Sequence, residues 1–297
     1  MTLRPSEQFT QGVSPEALAA QLRALGLQEG ATVLVHASLR AIGPIQRGAQ
    51  GLLQALQSVI GYAGTLVVPA FCWQTVDPAC WNNPPPPERL ADLQARVVPF
   101  SEDAEIDPSL GAFPRIIHRA PGALRSCHPS TSFVALGARA AELVAGQDIN
   151  RAYGRDGPLG KLAELDGWVL LLGVDFRAAT SVHCAEDEAD LPYLLRDFPA
   201  RLKVAPDSWV ESTHDYNCSE GFNAVIPVLQ ARGQLRTGRV GAAHSYLVRQ
   251  RHLVAAGLSL LADDQAALLC KRENCRECSR ARRLLHGNAC HDPGSHP

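Results

Sequence analysis

The sequence of 297 residues lacks the features that identify several broad classes of protein. No segment reaches the roughly 18 uninterrupted apolar residues of a membrane span. Met1–Gly12 is polar and lacks the apolar core of a signal peptide, which favours the cytoplasm. The formal net charge of -2 shows no excess of basic residues, so the sequence predicts no nucleic-acid partner. These absences favour a soluble globular protein.

The chain also lacks the cysteine pattern of a disulfide-stabilised protein. Its nine cysteines are an odd number, and no export signal accompanies them. Most of them are scattered along the chain. Only the tail near 270–297 is organised, with Cys270, Cys275, Cys278 and Cys290 close together in sequence.

The chain contains several short apolar runs of strand length. Thr32–His36, Thr65–Pro69 and the run that starts at Trp168 are continuous enough to predict strands buried on both faces. Between the first two, apolar residues from Leu52 to Ile60 repeat at helical spacing. Such a strand, helix, strand unit predicts a parallel pair within an α/β layer. We expect one domain over 1–297, with a mainly helical final third.

A proline-rich excursion interrupts this pattern near 80–98. It includes four consecutive prolines, Pro84–Pro87, which predict neither a helix nor a central strand. Surface loops tolerate insertion, so the excursion is either a loop without function or a segment that reshapes a substrate pocket.

Residues 180–188 carry the strongest chemical signal. They read Thr-Ser-Val-His-Cys-Ala-Glu-Asp-Glu and follow a buried strand that ends near Gly173. A histidine can remove a proton near neutral pH, and a carboxylate beside it can fix its tautomer. His183 and Glu186 are three residues apart, which places them on one face if the segment is helical. The pattern indicates an enzyme that deprotonates its substrate.

Several motifs together resemble the aminoglycoside 3-N-acetyltransferase family. They occur in family order from about Ser14 to Asp264, and their order and spacing make a chance match improbable. The matching segments are Val35–Arg40, Gly64–Phe71, Leu110–Gly111, Arg125–Pro129, Asp166–Val174, Thr180–Glu186, Pro192–Tyr193 and Val240–Gly241.

The resemblance implies a mixed central sheet flanked by helices, which differs from the more common acetyltransferase fold. It also implies transfer of an acetyl group from acetyl-CoA to the 3-amino group of 2-deoxystreptamine aminoglycosides, an activity that confers antibiotic resistance. In such an enzyme His183 is similar to the general base and Glu186 to the group that orients it. Thr180 is a candidate donor to the developing oxyanion, although backbone N–H groups often fill that role.

Coenzyme binding is expected at loops that follow the strands, where an open α/β sheet forms its crevice. Each candidate has the alternative of a purely structural role as a cap, turn or packing residue. The candidates are His36, Ala37, Ser38, Leu39, Pro69, Phe71, Gly111, Phe113 and Ser132.

An aminoglycoside carries several ammonium groups, so its site should present carboxylates. Candidates are Asp77, Asp187, Glu188 and Asp215. Asp215 could contact His183 or a substrate amine, and the sequence does not choose between these roles. Acidic runs are also common on solvated surfaces without any ligand.

The tail adds a possible metal site. The two-residue spacing of Cys275 and Cys278 allows both thiolates to bind one zinc ion, with Cys218 and Cys270 completing four ligands. The alternatives are reduced thiols, or Cys290 and His291 as rival ligands.

Two further interpretations of function stay open. One keeps the family but changes the acceptor to another amine metabolite. The other is a catalytically silent, zinc-stabilised binding protein, against which the intact Thr180, His183 and Glu186 argue. The oligomeric state is open as well, with a homodimer as one option.

Overall fold

A computed structural model of the protein describes residues 12–81, 84–214 and 218–287. Helices alternate with strands over most of this length. The helices are α1 (Pro15–Leu25), α2 (Leu39–Ile42), α3 (Gly48–Ile60), α4 (Pro87–Gln94), α5 (Ala112–His118), α6 (Ala140–Val144), α7 (Pro158–Glu164), α8 (His183–Glu188), α9 (Val225–Ala231), α10 (Gln250–Asp263) and α11 (Arg276–Gly287). The strands are β1 (Thr32–Ala37), β2 (Thr65–Pro69), β3 (Leu124–Arg125), β4 (Phe133–Gly137), β5 (Trp168–Leu172), β6 (Leu195–Ala205), β7 (Ser208–His214), β8 (Leu235–Val240) and β9 (Ala243–Arg249).

Seven of the strands within the described residues form a mixed sheet in the order β3-β4-β2-β1-β5-β9-β8. Its centre is parallel, because β1 pairs in parallel with both β2 and β5. The outer pairings are antiparallel, between β2 and β4 on one side and between β5 and β9 on the other. Strands β6 and β7 form a separate hairpin. The expected mixed α/β architecture is confirmed.

Alternate residues of the central strands face opposite layers, as a pleated sheet requires. On one face, Val33 and Val35 of β1 pack in a core that also contains Leu52 and Leu56 of α3. On the other face, Leu34 packs in a core supplied by α7 to α11. Burial on both faces explains why these strands are continuously apolar.

The final third contains more strand than the sequence predicted. Four strands, β6 to β9, lie between Leu195 and Arg249 within the described residues. Polar and apolar residues are interspersed in these strands, and β8 is mostly solvent-exposed and contains Gly238. Strands of this kind give no continuous apolar run, so the expectation of a mainly helical final third was wrong for this part.

The proline-rich excursion is attached to the rest of the protein. Pro87 begins α4, because a proline without an N–H is tolerated in the first turn of a helix, so the expectation of no helix at the prolines was wrong there. Behind α4, the carbonyl of Val97 accepts a hydrogen bond from Lys203 Nζ of the hairpin at 3.0 Å. Gln94 Nε2 donates to Asp77 at 3.0 Å.

None of the helices in the described residues is long and apolar enough to cross a bilayer.

Candidate active site

A large cleft lies where the carboxyl ends of β1, β2 and β5 meet. Loops that follow parallel strands converge at one edge of the sheet, which is where open α/β sheets bind ligands. The cleft has a volume of about 610 Å³, within the range of ordinary ligand sites. It is lined by Val35–Arg40, Pro69, Phe71, Trp73, Ser109–Ala112, Pro114, Tyr153, Val174, Arg177, Ala178, Thr180, His183 and Ser219.

Gly173 allows the β1 and β5 loops to approach each other at this edge. Its φ of 67° is in the left-handed region, and a Cβ atom there would lie 2.5 Å from the Cβ of Ala41. A larger residue would therefore be strained and would push apart the two loops that form the floor of the cleft.

His36 presents a buried polar atom to this region. The side chain lies in β1 and lines the large cleft, and its Nε2 has no hydrogen-bond partner among the described residues. Burial lowers the pKa of His36 to about 4, so the ring is neutral at physiological pH. A buried polar atom without a partner is costly, and a ligand in the cleft can satisfy it.

The predicted catalytic pair, His183 and Glu186, makes direct contact within α8, which begins at His183. Nδ1 of His183 and Oε2 of Glu186 are 2.7 Å apart, and both side chains are buried. Tyr193 donates from its hydroxyl to the other carboxylate oxygen, Oε1, at 3.0 Å. Burial raises the pKa of Glu186, whereas the contacts with His183 and Tyr193 oppose that shift. With Glu186 accepting from Nδ1–H, the lone pair of the imidazole is on Nε2.

Two aromatic rings fix the orientation of the imidazole. Tyr153 stacks on it with ring centres 4.8 Å apart, and Phe222 meets it edge-on at 4.6 Å. Such contacts hold one rotamer of His183. Below the helix, Gly257 of α10 lets the backbone approach closely, because a Cβ there would lie 2.6 Å from the Cβ of Ala185.

A second, narrow crevice of about 30 Å³ also borders His183. His183 and Tyr153 line both cavities, so the imidazole stands where the two meet. The crevice is lined by His128, Ser130, Thr131, Asn150–Tyr153, His183, Asp187, Leu194, Ala200, Leu202 and Ser212.

The charged groups of the narrow crevice are paired. Arg151 Nη2 lies 3.0 Å from Asp187 Oδ2, and Nε of the same guanidinium lies 3.1 Å from Oδ1. Asp187 is the only carboxylate among the described residues that line this crevice. The crevice therefore contains one carboxylate and one guanidinium in direct contact.

Most predicted coenzyme residues line the large cleft. These are His36, Ala37, Ser38, Leu39, Pro69, Phe71 and Gly111. Thr180, the predicted oxyanion donor, lines the same cleft. The Ser38 hydroxyl is not wholly available to a ligand, because it caps α2 by accepting from Ala41 N–H at 3.3 Å.

Phe113 and Ser132 were predicted to bind the coenzyme, but both lie in the interior and do not line the large cleft. Phe113 is 1 % exposed and packs in the core beneath α5, because the helix turns it away from Ala112 and Pro114 at the cleft. Ser132 is fully buried and donates to the carbonyl of Ala70 at 2.8 Å.

The predicted substrate carboxylates separate in the structure. Asp187 lines the narrow crevice, whereas Glu188 is exposed and lies outside its lining. Asp77 is also corrected: it is 1 % exposed, caps the turn at Ala79 and lies 3.2 Å from Arg201 Nη1, so its oxygens are taken. Asp215 lies outside the described residues.

Four cysteines, Cys218 and three from the tail, converge at the core that also contains residues of α8. The sulfur atoms of Cys218, Cys270, Cys275 and Cys278 all lie within 4.8 Å of one another. Those of Cys275 and Cys218 are 3.7 Å apart. The backbone N–H of Cys270 points at the sulfur of Cys278 at 3.3 Å. The predicted ligand set is thus brought together, whereas Cys290 and His291 lie outside the described residues.

Comparison with known proteins decides the family. The family model for aminoglycoside 3-N-acetyltransferase matches residues 34–262, which is more than half of the chain. The chain belongs to this family. Aminoglycoside N(3)-acetyltransferase VII of Streptomyces paromomycinus is 34% identical over 265 residues, covering 82% of this chain and 89% of the relative. The family resemblance of the sequence is thereby confirmed.

Solved structures of relatives agree with the fold. The chain is similar to AAC-IIIb in a binary complex with CoASH, with a TM-score of 0.73 and 31% identity over 85% of this chain and 97% of that one. It is also similar to a histidine-to-alanine mutant of aminoglycoside acetyltransferase AAC(3)-IVa in complex with a gentamicin. That match has a TM-score of 0.78 and 29% identity, and covers 94% of this chain and all of the other.

Several residues at this acetyltransferase site were not found from the sequence. Tyr153 and Phe222 reach His183 from 30 residues before it and 39 after it, a proximity that no local pattern encodes. Arg151 lies in a loop without regular structure, and only its pairing with Asp187 identifies it. Tyr193 could have been identified, because the family motif includes it.

Another missed residue, His128, supports the floor of the narrow crevice in its neutral form. Its Nδ1 accepts from the Thr131 hydroxyl at 2.9 Å and from the Thr131 N–H at 3.1 Å, and its Nε2 donates to the carbonyl of Ile149 at 3.1 Å. Burial is the main reason that the pKa of His128 falls to about 4. Protonation of Nδ1 would place a hydrogen against donors already aimed at it.

We predict that acid destabilises the fold through His128. Its folded pKa of about 4 lies below the ordinary value of roughly 6.5, so the unfolded chain binds the proton more readily between these values. The stabilisation is complete above the unfolded pKa and is lost as pH falls toward 4. At pH 5 the free energy of unfolding should be lower than at pH 7.5 by about 2 kcal/mol from this group alone. Urea unfolding of wild type and His128→Gln measures the difference, and identical pH dependences for the two proteins would contradict it.

Proposed function

We propose that the protein transfers an acetyl group from acetyl-CoA to an amine of an aminoglycoside, at the 3-amino position of the 2-deoxystreptamine ring. The observation that carries this proposal is the position of His183, whose ring lines both the large cleft and the narrow crevice. A base at the junction of two cavities can serve a reaction between two substrates. Family membership, together with the coenzyme-bound and gentamicin-bound relatives, supports the identity of both substrates.

The large cleft suits acetyl-CoA. Pro69, Phe71 and Trp73 offer apolar surface for the pantetheine arm, and Nε2 of His36 can bond one of its amides. Arg40 and Arg177 line the same cleft, and their guanidinium groups can bind the phosphate groups of the coenzyme. Arg177 also pairs with Asp175 at 2.8 Å, which holds its guanidinium in place.

The chemistry follows from the free Nε2 lone pair. The substrate ammonium gives one proton to Nε2 of His183, and the resulting imidazolium is stabilised by Glu186 through Nδ1. The neutral amine then attacks the thioester carbonyl carbon, the new C–N bond forms and the C–S bond breaks. The leaving thiolate takes up one proton, which the imidazolium can return, and the newly acetylated nitrogen loses its second excess proton to solvent, so the reaction releases one proton overall.

The oxyanion that develops during attack needs a donor. Thr180 is one turn before His183 and lines the large cleft, so its hydroxyl is our candidate. Direct transfer between bound substrates is favoured over an acyl-enzyme. Cys184, the neighbouring thiol, is buried, lines neither cavity and accepts a contact from Gln250 Nε2 at 3.5 Å. Burial also raises the pKa of the Cys184 thiol, which disfavours the nucleophilic thiolate.

We predict that His183→Ala lowers the acetyl-transfer rate by about 100- to 10,000-fold, the usual contribution of a general base. Coenzyme binding should persist, because most of the large cleft is built by β1, β2 and their loops. Coenzyme A release with gentamicin-like and apramycin-like acceptors measures the rate, and calorimetry measures coenzyme binding. Glu186→Gln is the matched variant: its amide can turn an N–H toward Nδ1 and move the imidazole proton to Nε2, with a similar loss. Near-wild-type turnover by His183→Ala would refute the proposed role.

The acceptor enters through the narrow crevice in this proposal. Its volume of about 30 Å³ is far below that of an ordinary ligand site, so an amino sugar has to displace a wall. Ala200 and Leu202 of β6 and Ser212 of β7 form one of these walls. Asp187 is the carboxylate that an incoming ammonium would meet, in competition with Arg151.

We predict that Asp187→Asn raises KM for aminoglycosides about tenfold, the loss expected for one charged hydrogen bond, with little change in kcat. Glu188→Gln is the matched control, because the neighbouring side chain is exposed and lies outside the crevice. Steady-state kinetics with several aminoglycosides decide the matter. Equal KM values for the two variants would show that Asp187 does not bind the drug.

Arg151 favours one alternative acceptor within the same reaction class. Its guanidinium lines the narrow crevice and is half-exposed, so it can also pair with an anionic group. An amine metabolite that carries a carboxylate or phosphonate would use this cation. Arg151→Ala separates the two acceptors: it should raise KM for an anionic amine, and should lower KM for an aminoglycoside by releasing Asp187.

We also propose that the protein works in the cytoplasm, where acetyl-CoA is made and where buried thiols such as Cys72 and Cys184 stay reduced.

We propose in addition that the four converging cysteines bind a zinc ion. A tetrahedral site with zinc–sulfur distances of about 2.3 Å places sulfur atoms roughly 3.8 Å apart. The Cys275–Cys218 separation of 3.7 Å agrees with that spacing, and the remaining distances need small adjustments at most. The N–H of Cys270 aimed at Cys278 is a typical contact to a metal-bound thiolate.

We predict about one zinc ion per chain in protein purified without a histidine tag, measured by elemental analysis. Cys275→Ser should lose the metal and lower the thermal midpoint, because metal binding stabilises the folded state. Cys127→Ser, which changes an exposed cysteine elsewhere, is the matched control and should retain it. Less than about a tenth of an equivalent of zinc, or iron in its place, would refute this site.

A further inference from the structure

Two of the side chains that hold the catalytic pair, Tyr193 and Phe222, belong to segments that are connected to the cysteine cluster. Tyr193 bonds Glu186, and Phe222 packs against the ring of His183. Cys218, Cys270 and Cys278 share one apolar core with both of these aromatic residues. The cluster therefore lies in the same core as the groups that set the position of the imidazole.

One connection runs through α11. Arg280 is two residues after Cys278, and its Nη1 donates to the backbone carbonyl of Tyr193 at 3.2 Å. Its Nη2 donates to the carbonyl of Leu195. The helix also packs against the turn at Pro192–Leu194. A single guanidinium thus ties the segment that carries the Tyr193 hydroxyl to the helix that carries Cys278.

A second connection runs through the segment after Cys218. Phe222 N–H donates to the carbonyl of Ser219 at 3.0 Å. Gly221 presses against the backbone just before Cys270, since a Cβ on it would lie 2.2 Å from the carbonyl oxygen of Leu268. The position of Phe222 therefore depends on how the chains at Cys218 and Cys270 are joined.

We propose that the cysteine cluster and α11 form a brace that positions the His183–Glu186 pair, with Arg280 and Tyr193 as its positioning residues. This inference rests on the proposed acetyl transfer and the proposed zinc ion. Arg280 and Tyr193 do not line the large cleft within the described part of the chain. The brace acts on the proton-accepting group and leaves coenzyme binding unchanged.

The test compares Arg280→Ala and Tyr193→Phe with Arg283→Ala, an exposed arginine on the same helix. Each of the first two variants should lower kcat about tenfold, the effect of one hydrogen bond to a charged or positioning group. KM for acetyl-CoA should stay at the wild-type value, and each variant should keep its zinc. Arg280→Lys should recover part of the lost rate, because it restores one donor. Arg283→Ala should behave as wild type.

Hydrogen exchange on the same proteins provides a readout that does not need turnover. Faster exchange confined to residues 183–195 in Arg280→Ala, with β1 and β2 unchanged, supports the brace even if no tested amine is acetylated. Wild-type kcat together with wild-type exchange in that variant overturns it. A parallel rise in KM for acetyl-CoA, or exchange spread over the whole chain, also overturns it, because general destabilisation would then explain the loss. Absence of zinc from wild type ends the zinc proposal, and the Arg280 comparison then decides whether α11 acts alone.

Discussion

The hydrogen bond between Nδ1 of His183 and Oε2 of Glu186 determines which ring nitrogen can accept a proton. It is 2.7 Å long and lies among buried side chains, where water does not compete for either partner. Burial alone would favour a protonated Glu186, and the contacts from His183 and Tyr193 are what favour the carboxylate. The rest of the site is arranged around this balance. Tyr153 and Phe222 hold the ring, and the ring borders both the large cleft and the narrow crevice.

Much of this centre could be predicted because it is local in sequence. His183 and Glu186 are three residues apart, and one helical turn brings them together whatever the rest of the chain does. The loops at Ser38 and Phe71 follow apolar strands that can be recognised individually. Tyr153, Phe222 and Arg280 could not be found in this way, because they reach the centre only through tertiary packing. Asp77 shows the opposite failure. Its acidity predicted a ligand role, but its partner Arg201 is 124 residues away in the chain.

The strands likewise differ in how well the sequence predicts them. Strands β1, β2 and β5 are buried on both faces and therefore consist mostly of apolar residues, which the sequence shows directly. Strands β8 and β9 lie at one side of the sheet, and β6 and β7 form a hairpin outside it. Such strands keep polar residues on a solvent face and give a weak periodic signal. The antiparallel pairing of β4 with β2 is likewise a property of topology, since the chain reaches β4 only after the long excursion and α5.

The hairpin of β6 and β7 shares no strand pairing with the seven-stranded sheet among the described residues. It is joined to the body by the bridge between Val76 and Leu202 and by the ion pair of Arg201 with Asp77. The hairpin supplies one wall of the narrow crevice. Because it lies outside the seven-stranded sheet, its crevice-facing side chains can vary without disturbing the core that carries the imidazole. Substitutions that change the drug spectrum in descendants of this protein would then concentrate in this hairpin, because they leave the catalytic residues in place.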